Sequence, residues 1–137
     1  MSYIHLHTHT QYSLLDGSGR LPELISHAKE MGMDSLAITD HGVMYGCLEF
    51  YKEAIKQGIR PILGCEIYVT PGSRFDREKN SDERYFHLVL LAENNEGYKN
   101  LMKIVSKGFT EGFYYKPRVD KEVLEKIIIY FYLIIFN

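Results

Sequence analysis

Apolar side chains recur along this chain with two different periods, and the change from one period to the other predicts a series of strands and helices. Residues 4–10 alternate between histidines and other side chains, which is the period-2 pattern of a strand. Residues 21–31 carry apolar side chains at helical spacing, with Pro22 in the first turn and Gly32 after the end. Residues 35–39 are a short apolar run, which predicts a second strand.

The same order continues in the second half of the chain. We expect a helix over residues 46–57, a β-rich segment over 61–69, an exposed polar loop over 71–84, a strand over 85–92 and a helix over 95–107. Strands that alternate with helices in this way are typical of βα units, which favour a parallel sheet with right-handed crossovers. We therefore predict an α/β fold with parallel strands and outer helices.

Composition limits what kind of protein this can be. The 137 residues are 45% hydrophobic, which is enough for one domain with a core, and the net charge of −2 excludes a global basic field for nucleic acid or anionic lipid. Cys47 and Cys65 lack the spacing of a metal knuckle, and the first residues lack a secretion-signal pattern. The longest apolar run, residues 127–136, is half of the ~20 residues that a membrane-spanning helix needs. We expect a cytoplasmic protein without a membrane partner.

The first candidate chemistry is the row of alternate histidines His5, His7 and His9. In a strand these three imidazoles share one face, where they repel one another when protonated and need partners when neutral. A divalent metal ion is such a partner, because neutral imidazole is a common ligand of zinc, iron and manganese. The alternatives are a solvated edge strand with incidental histidines and the remnant of a purification tag.

Further candidate ligands follow the later strands. Side chains that parallel strands deliver at their carboxyl ends gather at one edge of the sheet. Four consecutive strands each supply a His or Glu: His7 and His9, His41 after Asp40, Glu66, and His87, which comes earlier in its strand. Histidines and carboxylates without paired cysteines suit a catalytic metal site better than a structural zinc site.

Two of these segments resemble motifs of the PHP (polymerase and histidinol phosphatase) family. Residues 7–9, His-Thr-His, are similar to the first motif, and residues 39–42, Thr-Asp-His-Gly, are similar to the second. The flanking residues 12–17, 42–46, 64–69 and 113–118 are most similar to the branch of this family found in the alpha subunit of the bacterial replicative DNA polymerase III. The resemblance covers about residues 1–126.

The resemblance implies part of a distorted (β/α)7 barrel with up to three divalent metals. Zinc is the first expectation, and manganese, iron and magnesium are alternatives. Carried over by position, the ligands are His7, His9, Asp16, His41, Glu66 and His87. Glu66 would bridge metals, and Asp40 would orient His41 through its other ring nitrogen, which makes these two acids the catalytic candidates.

The implied activity is metal-dependent hydrolysis of a phosphoester, which in polymerases takes the form of 3′–5′ exonuclease proofreading. The implied parent is a nucleotidyltransferase whose partners are the rest of the alpha subunit, other replisome subunits and DNA. Two alternatives stay open: a free-standing phosphatase of a small phosphoester, and a metal-stabilised scaffold without activity.

The resemblance ends abruptly near residue 126. Residues 127–137 are almost entirely apolar and match no part of the family pattern. We therefore expect a partial PHP domain over residues 1–126, followed by an unrelated tail that arose by a frameshift, a gene break or an assembly artefact.

Overall fold

A computed structural model describes residues 3–77, 85–127 and 130–136 of the chain. The helices are α1 (Leu21–Glu30), α2 (Cys47–Gln57), α3 (Asn95–Thr110) and α4 (Lys121–Ile127). The strands are β1 (Ser35–Ile38), β2 (Arg60–Val69), β3 (Phe86–Ala92), β4 (Phe113–Tyr114), β5 (Lys116–Val119) and β6 (Phe131–Phe136). No helix within these ranges combines the length and the apolar character that crossing a membrane requires.

The sheet is organised around β2. Strand β1 pairs in parallel with residues 60–63, the first part of β2, and β5 pairs in parallel with its last two residues. Strand β3 lies antiparallel to residues 64–69, and β6 lies antiparallel to β3. Short strand β4 forms a hairpin with β5. The predicted α/β class is confirmed, with a sheet that mixes parallel and antiparallel pairs.

The direction of β3 differs from the expected all-parallel arrangement. A parallel neighbour needs a long crossover, usually a helix, whereas an antiparallel neighbour needs only a loop. Residues 70–77, the described part of the connection from β2 to β3, form turns and bends without a helix. The chain therefore returns along β2 in the opposite direction.

The first segment also differs from its prediction, because residues 4–10 form no regular strand. The segment lies beside β1, where the amides of Ala37 and Thr39 donate to the carbonyl oxygens of His5 and Thr8, each at 3.0 Å. The chain bends at residues 6 and 7, and this bend interrupts the alternation. His5 is exposed and stacks edge-on against Tyr3.

Helices α1, α2 and α3 confirm the predicted helices, and α3 extends three residues further than expected. Gly58 ends α2 in the left-handed conformation, with φ of 78°. Asn94 caps α3, since its side-chain oxygen accepts from the amides of Glu96 and Gly97 at 3.0 Å. Local signals placed these boundaries because caps depend on residues close in sequence.

Two apolar clusters hold the helices against the sheet. One joins α1, α2 and β1 around Ile25 and Phe50, and the other joins β2, β3 and α3 around Leu90 and Leu101. Cys65 belongs to the second cluster and is fully buried, as predicted. Strand β2 contributes to both clusters, through Leu63 to the first and through Cys65 and Ile67 to the second.

Two predicted segments lie partly outside the described residues. These are the polar loop, of which residues 78–84 are not described, and the apolar tail, of which residues 128, 129 and 137 are not described. Residues 131–136 of the tail form β6 beside β3. The division of the chain at residue 126 stays a prediction.

Candidate metal centre

Glu66 lies at the centre of a cluster of four histidines. Its side chain is 4% exposed, and its Oε2 contacts Nε2 of His7 closely and Nε2 of His9 at 2.8 Å. Its Oε1 lies 2.8 Å from Nδ1 of His87 and 3.7 Å from Nδ1 of His41. The structure thus brings together side chains that are up to 80 residues apart in sequence.

The backbone pairing of β2 explains how these side chains meet. Glu66 forms a parallel bridge with His41, because its amide donates to the Asp40 carbonyl at 3.1 Å and its own carbonyl accepts from Gly42 at 2.8 Å. On the other edge of β2, His87 pairs with Tyr68, two residues beyond Glu66. Side chains two residues apart on a strand share a face, so His87 can reach the carboxylate.

The antiparallel direction of β3 also explains why an early residue of that strand reaches the site. The start of an antiparallel strand lies beside the end of its neighbour. His87, the second residue of β3, is therefore placed at the carboxyl-terminal half of β2 together with Glu66.

Asp16 completes the cluster from the loop after the histidine segment. Its Oδ2 lies 2.7 Å from Nε2 of His41 and 3.6 Å from Nδ1 of His9. The loop turns sharply at this point, where a Cβ on Gly17 would lie 2.1 Å from the Thr10 carbonyl oxygen. Only glycine fits there, so Gly17 allows the turn that brings Asp16 back to the cluster.

Together the six predicted ligands form three overlapping groups, each with ligand atoms within 4.8 Å of one another. The groups are His7, His9 and Glu66; His9, Asp16 and His41; and His41, Glu66 and His87. His9, His41 and Glu66 each belong to two groups. His27 lies outside the cluster on the surface of α1, 3.7 Å from Glu30.

Asp40 occupies a different position from the one we expected. It is 1% exposed, and its carboxylate accepts hydrogen bonds from the amide and hydroxyl of Thr10 at 2.7 and 2.8 Å and from Ser13 Oγ at 2.8 Å. The His41 ring instead has Asp16 and Glu66 as neighbours. We expected Asp40 to contact the His41 ring. Within the described residues its carboxylate instead accepts hydrogen bonds from Thr10 and Ser13.

Ser13 connects Asp40 to the histidines, which the sequence did not reveal. Its hydroxyl donates to Asp40, accepts from the His41 amide at 3.0 Å and lies 2.9 Å from Nδ1 of His9. A serine hydroxyl carries one proton, so Nδ1 of His9 must donate this last bond. Nε2 of His9 faces Glu66 at 2.8 Å, and in neutral His9 it is the nitrogen whose lone pair a metal ion would use in place of that hydrogen bond. A serine in a polar loop carries no local signal that would distinguish it as buried.

Burial and hydrogen bonding act in opposite directions on the charges of the cluster. Burial opposes ionisation of Glu66, but hydrogen bonds from His9 and His7 outweigh it and lower its pKa to about 2. The hydrogen bond with Glu66 raises the pKa of His9, whereas burial lowers the pKa of His41. Glu66 is therefore an anion at neutral pH, beside a histidine that favours its neutral form.

The donors in this cluster fit divalent metal ions. Neutral imidazole and carboxylate are the ligands that catalytic zinc, iron and manganese sites use. Nδ1 of His41 is buried and, within the described part of the chain, has no hydrogen-bond partner. A buried nitrogen without a partner costs free energy unless it binds something, and a metal ion would use its lone pair.

Comparison with known proteins gives one family. The model described as PHP domain matches residues 5–134. The chain is 54% identical over 125 residues to a DNA polymerase III subunit alpha from Treponema pallidum, and 49% identical over 127 residues to one from Chlamydia pneumoniae. These alignments cover 90% and 92% of this chain. The chain spans about a tenth of the length of these curated relatives, 11% and 10% respectively.

A solved structure shares part of the fold. An amidohydrolase from Chromobacterium violaceum, crystallised with bound sulfate and no metal, superposes with a TM-score of 0.53 and 27% sequence identity. The match covers 76% of this chain and 34% of the amidohydrolase. It places the α/β arrangement described above among solved hydrolase folds.

Proposed function

Because this chain belongs to the PHP domain family, we propose that its histidine and carboxylate cluster holds divalent metal ions and hydrolyses phosphoesters. The observation that carries the proposal is the convergence of six possible ligands on Glu66 in three overlapping groups. Because a neutral imidazole has a single lone pair, His9 and His41 would each bind one ion although each belongs to two groups. The ligands of the ions, up to three in number as the family resemblance implies, would be His7, His9, Asp16, His41, Glu66 and His87.

The chain's own residues have distinct parts in this proposal. Glu66 is a buried anion that belongs to two ligand groups, so its two oxygens can bridge neighbouring ions. Asp40 is too deeply buried to touch a substrate, and it acts through Ser13 by holding the His9 ring in place. Divalent ions in such a site polarise the phosphoester and activate the attacking water. Zinc is our first expectation, with manganese, iron and magnesium as alternatives.

For the substrate we propose the 3′ end of single-stranded DNA, which would be trimmed in a 3′–5′ exonuclease reaction. The support is the identity of about one residue in two with DNA polymerase III alpha subunits. By the same similarity, we propose the remainder of such a subunit and other replisome proteins as partners.

Metal analysis tests the proposal. The 137-residue chain is purified with manganese or zinc, and bound metal is measured by mass spectrometry. The His7→Ala, His9→Ala double variant should lose at least one equivalent of metal per chain. The matched control is His27→Ala, which removes an exposed imidazole outside the cluster and should leave the metal content unchanged.

A hydrolysis assay separates an enzyme from a scaffold. The metal-loaded chain is incubated with a 3′-labelled single-stranded oligonucleotide, with and without a chelator. Cleavage that the chelator abolishes supports the enzymatic proposal. Bound metal without cleavage would favour the scaffold alternative, and unchanged metal in the double variant would place the metal site elsewhere.

A further inference from the structure

A cleft of about 490 Å³ opens directly beside the cluster, a volume within the range of ~300 to 1,000 Å³ that is usual for small-molecule sites. Three cluster residues, Asp16, His41 and His87, belong to its lining. A phosphoester at the cluster would therefore extend its organic group into this cleft. What lines the cleft indicates which organic group fits.

Besides the imidazoles of His41 and His87, five tyrosine and phenylalanine rings of the described residues line the cleft: Tyr12, Tyr45, Tyr68, Tyr85 and Phe109. Three of these rings present substantial surface, with exposed fractions of 68% for Tyr45, 39% for Phe109 and 36% for Tyr85. Aromatic faces of this kind bind planar ligands by stacking, as they do with the bases of single-stranded nucleic acids. A small phosphoester with a flexible, hydroxyl-rich carbon chain would gain little from such walls.

Among the described lining residues the cleft has one carboxylate, Asp16, and one ammonium group, Lys116, and the latter can pair with an anionic group of the ligand. Lys116 lines the cleft, and its Nζ lies 5.4 Å from the centre of the Tyr68 ring. Leu14 and Leu15 also line the cleft, and they are 83% and 109% exposed. Leu15 also adopts a left-handed backbone conformation, with φ of 70°, which is uncommon for a leucine. A ligand bound in the cleft would cover the exposed side chains of Leu14 and Leu15.

We infer that this cleft is a nucleoside subsite, in which a base stacks on the exposed rings, Tyr45 first among them, while the attached phosphate reaches the cluster and Lys116. The inference rests on the proposed function for the position of the phosphate, but the stacking does not depend on a bound metal. It identifies the terminal nucleoside as the part of the substrate that the chain binds beside the cluster.

Deoxyadenosine is the probe, because it has a base and no phosphate and so tests the cleft without the metal. Its binding to the metal-free 137-residue chain is measured by saturation-transfer NMR and titration, with deoxyribose as the sugar without a base. The Tyr45→Ala variant should bind deoxyadenosine about 5- to 100-fold more weakly, which is the loss expected for one stacked ring. The control Tyr51→Ala removes a tyrosine of similar exposure from α2, outside the cleft, and should bind as the parent does.

The outcomes separate this inference from the proposed function. Binding of deoxyadenosine that Tyr45→Ala weakens and Tyr51→Ala does not supports the subsite, whatever the metal content is. No binding, or equal binding by both variants, overturns it even if the cluster holds metal. A parent chain that binds no metal but binds deoxyadenosine through Tyr45 would overturn the proposed function alone.

Discussion

At the scale of single residues, Ser13 has the most unexpected position in the structure. Its hydroxyl lies between the buried Asp40 carboxylate and Nδ1 of His9, at 2.8 and 2.9 Å. This contact fixes which ring nitrogen of His9 carries the proton and which is free to bind a metal. Groups that orient metal ligands in this way typically contribute 10- to 100-fold to metal affinity.

Removing the hydroxyl should therefore weaken metal binding without removing a ligand. We expect Ser13→Ala to bind zinc or manganese about 10- to 100-fold more weakly, and Ser13→Thr, which keeps the hydroxyl, to retain most of the affinity. Metal affinity is measured by competition with a chromogenic chelator. The ¹⁵N spectrum of His9 in the metal-free chain, recorded at a pH high enough to make the ring neutral, should show a mixture of tautomers in Ser13→Ala and one tautomer in Ser13→Thr. A single unchanged tautomer in Ser13→Ala would contradict this account.

Glu66 makes the stability of the metal-free protein depend on acid. Its pKa is about 2 in the folded chain, below the ordinary value of 4.5. A lowered folded pKa means that the stabilisation is present above pH 4.5 and is lost as the pH falls from there towards 2. In Glu66→Gln this part of the pH dependence should disappear. Urea unfolding of the chelator-treated chains at several pH values measures the difference, and parallel profiles for parent and variant would argue against it.

At the scale of elements, Arg74 joins the segment after β2 to the end of α3 and the start of α4. Its guanidinium contacts Glu111 at 2.6 Å, Asp120 at 3.0 Å and Glu122 at 2.9 Å, and its amide donates to Asp120 at 3.0 Å. Arg74 and Asp120 are 7% and 5% exposed. These contacts fix the connection that leaves β2 just beyond Glu66, so they support the cluster from outside it.

Replacing Arg74 should leave the buried Asp120 carboxylate without its main cation. We expect Arg74→Leu to lower the free energy of unfolding by at least about 2 kcal/mol, because an uncompensated buried charge is costly. Lys56→Leu is the control, since it removes a lysine that is 75% exposed and pairs with Glu53 at 3.1 Å. That change should have little effect, because exposed ion pairs are screened by water. Equal unfolding midpoints in urea for the two variants would contradict the structural role of Arg74.

At the scale of the whole molecule, the histidine and carboxylate cluster joins the first segment, the loop after it, the residues after β1, β2 and β3. Ligands that bind only the folded chain stabilise it by mass action. A metal ion at the cluster would therefore link these segments to one another, in addition to the packing of the two apolar clusters. Proton competition should control this effect, because histidines bind metal in their neutral form.

The metal-bound chain should consequently become less stable as the pH falls, with loss of metal centred near the ordinary histidine pKa of ~6.5. The raised pKa of His9 should make the loss begin at a higher pH than an isolated imidazole would. Thermal unfolding of metal-loaded and chelator-treated chains between about pH 8 and pH 5 gives the difference in melting temperature, with bound metal measured in parallel. A difference that is constant across this range would indicate carboxylate ligands alone.

The sequence by itself determined the local features of this protein. Helices α1, α2 and α3 and strands β1, β2 and β3 lie where the apolar periods and the caps indicate, because those signals depend on residues within one or two turns of each other. The motifs around His7, His41 and Glu66 likewise carried the family resemblance, and the family model matches residues 5–134.

Only the tertiary structure decided how those parts meet. The direction of β3, which brings His87 to Glu66, depends on the connection between two strands and not on the apolar pattern of either strand. The bend that separates His5 from the other histidines interrupts a regular alternation. The Asp40 carboxylate accepts from Thr10 and Ser13 because the loop folds over it. Each of these depends on contacts between segments that are distant in sequence, and such contacts leave no periodic trace in the chain.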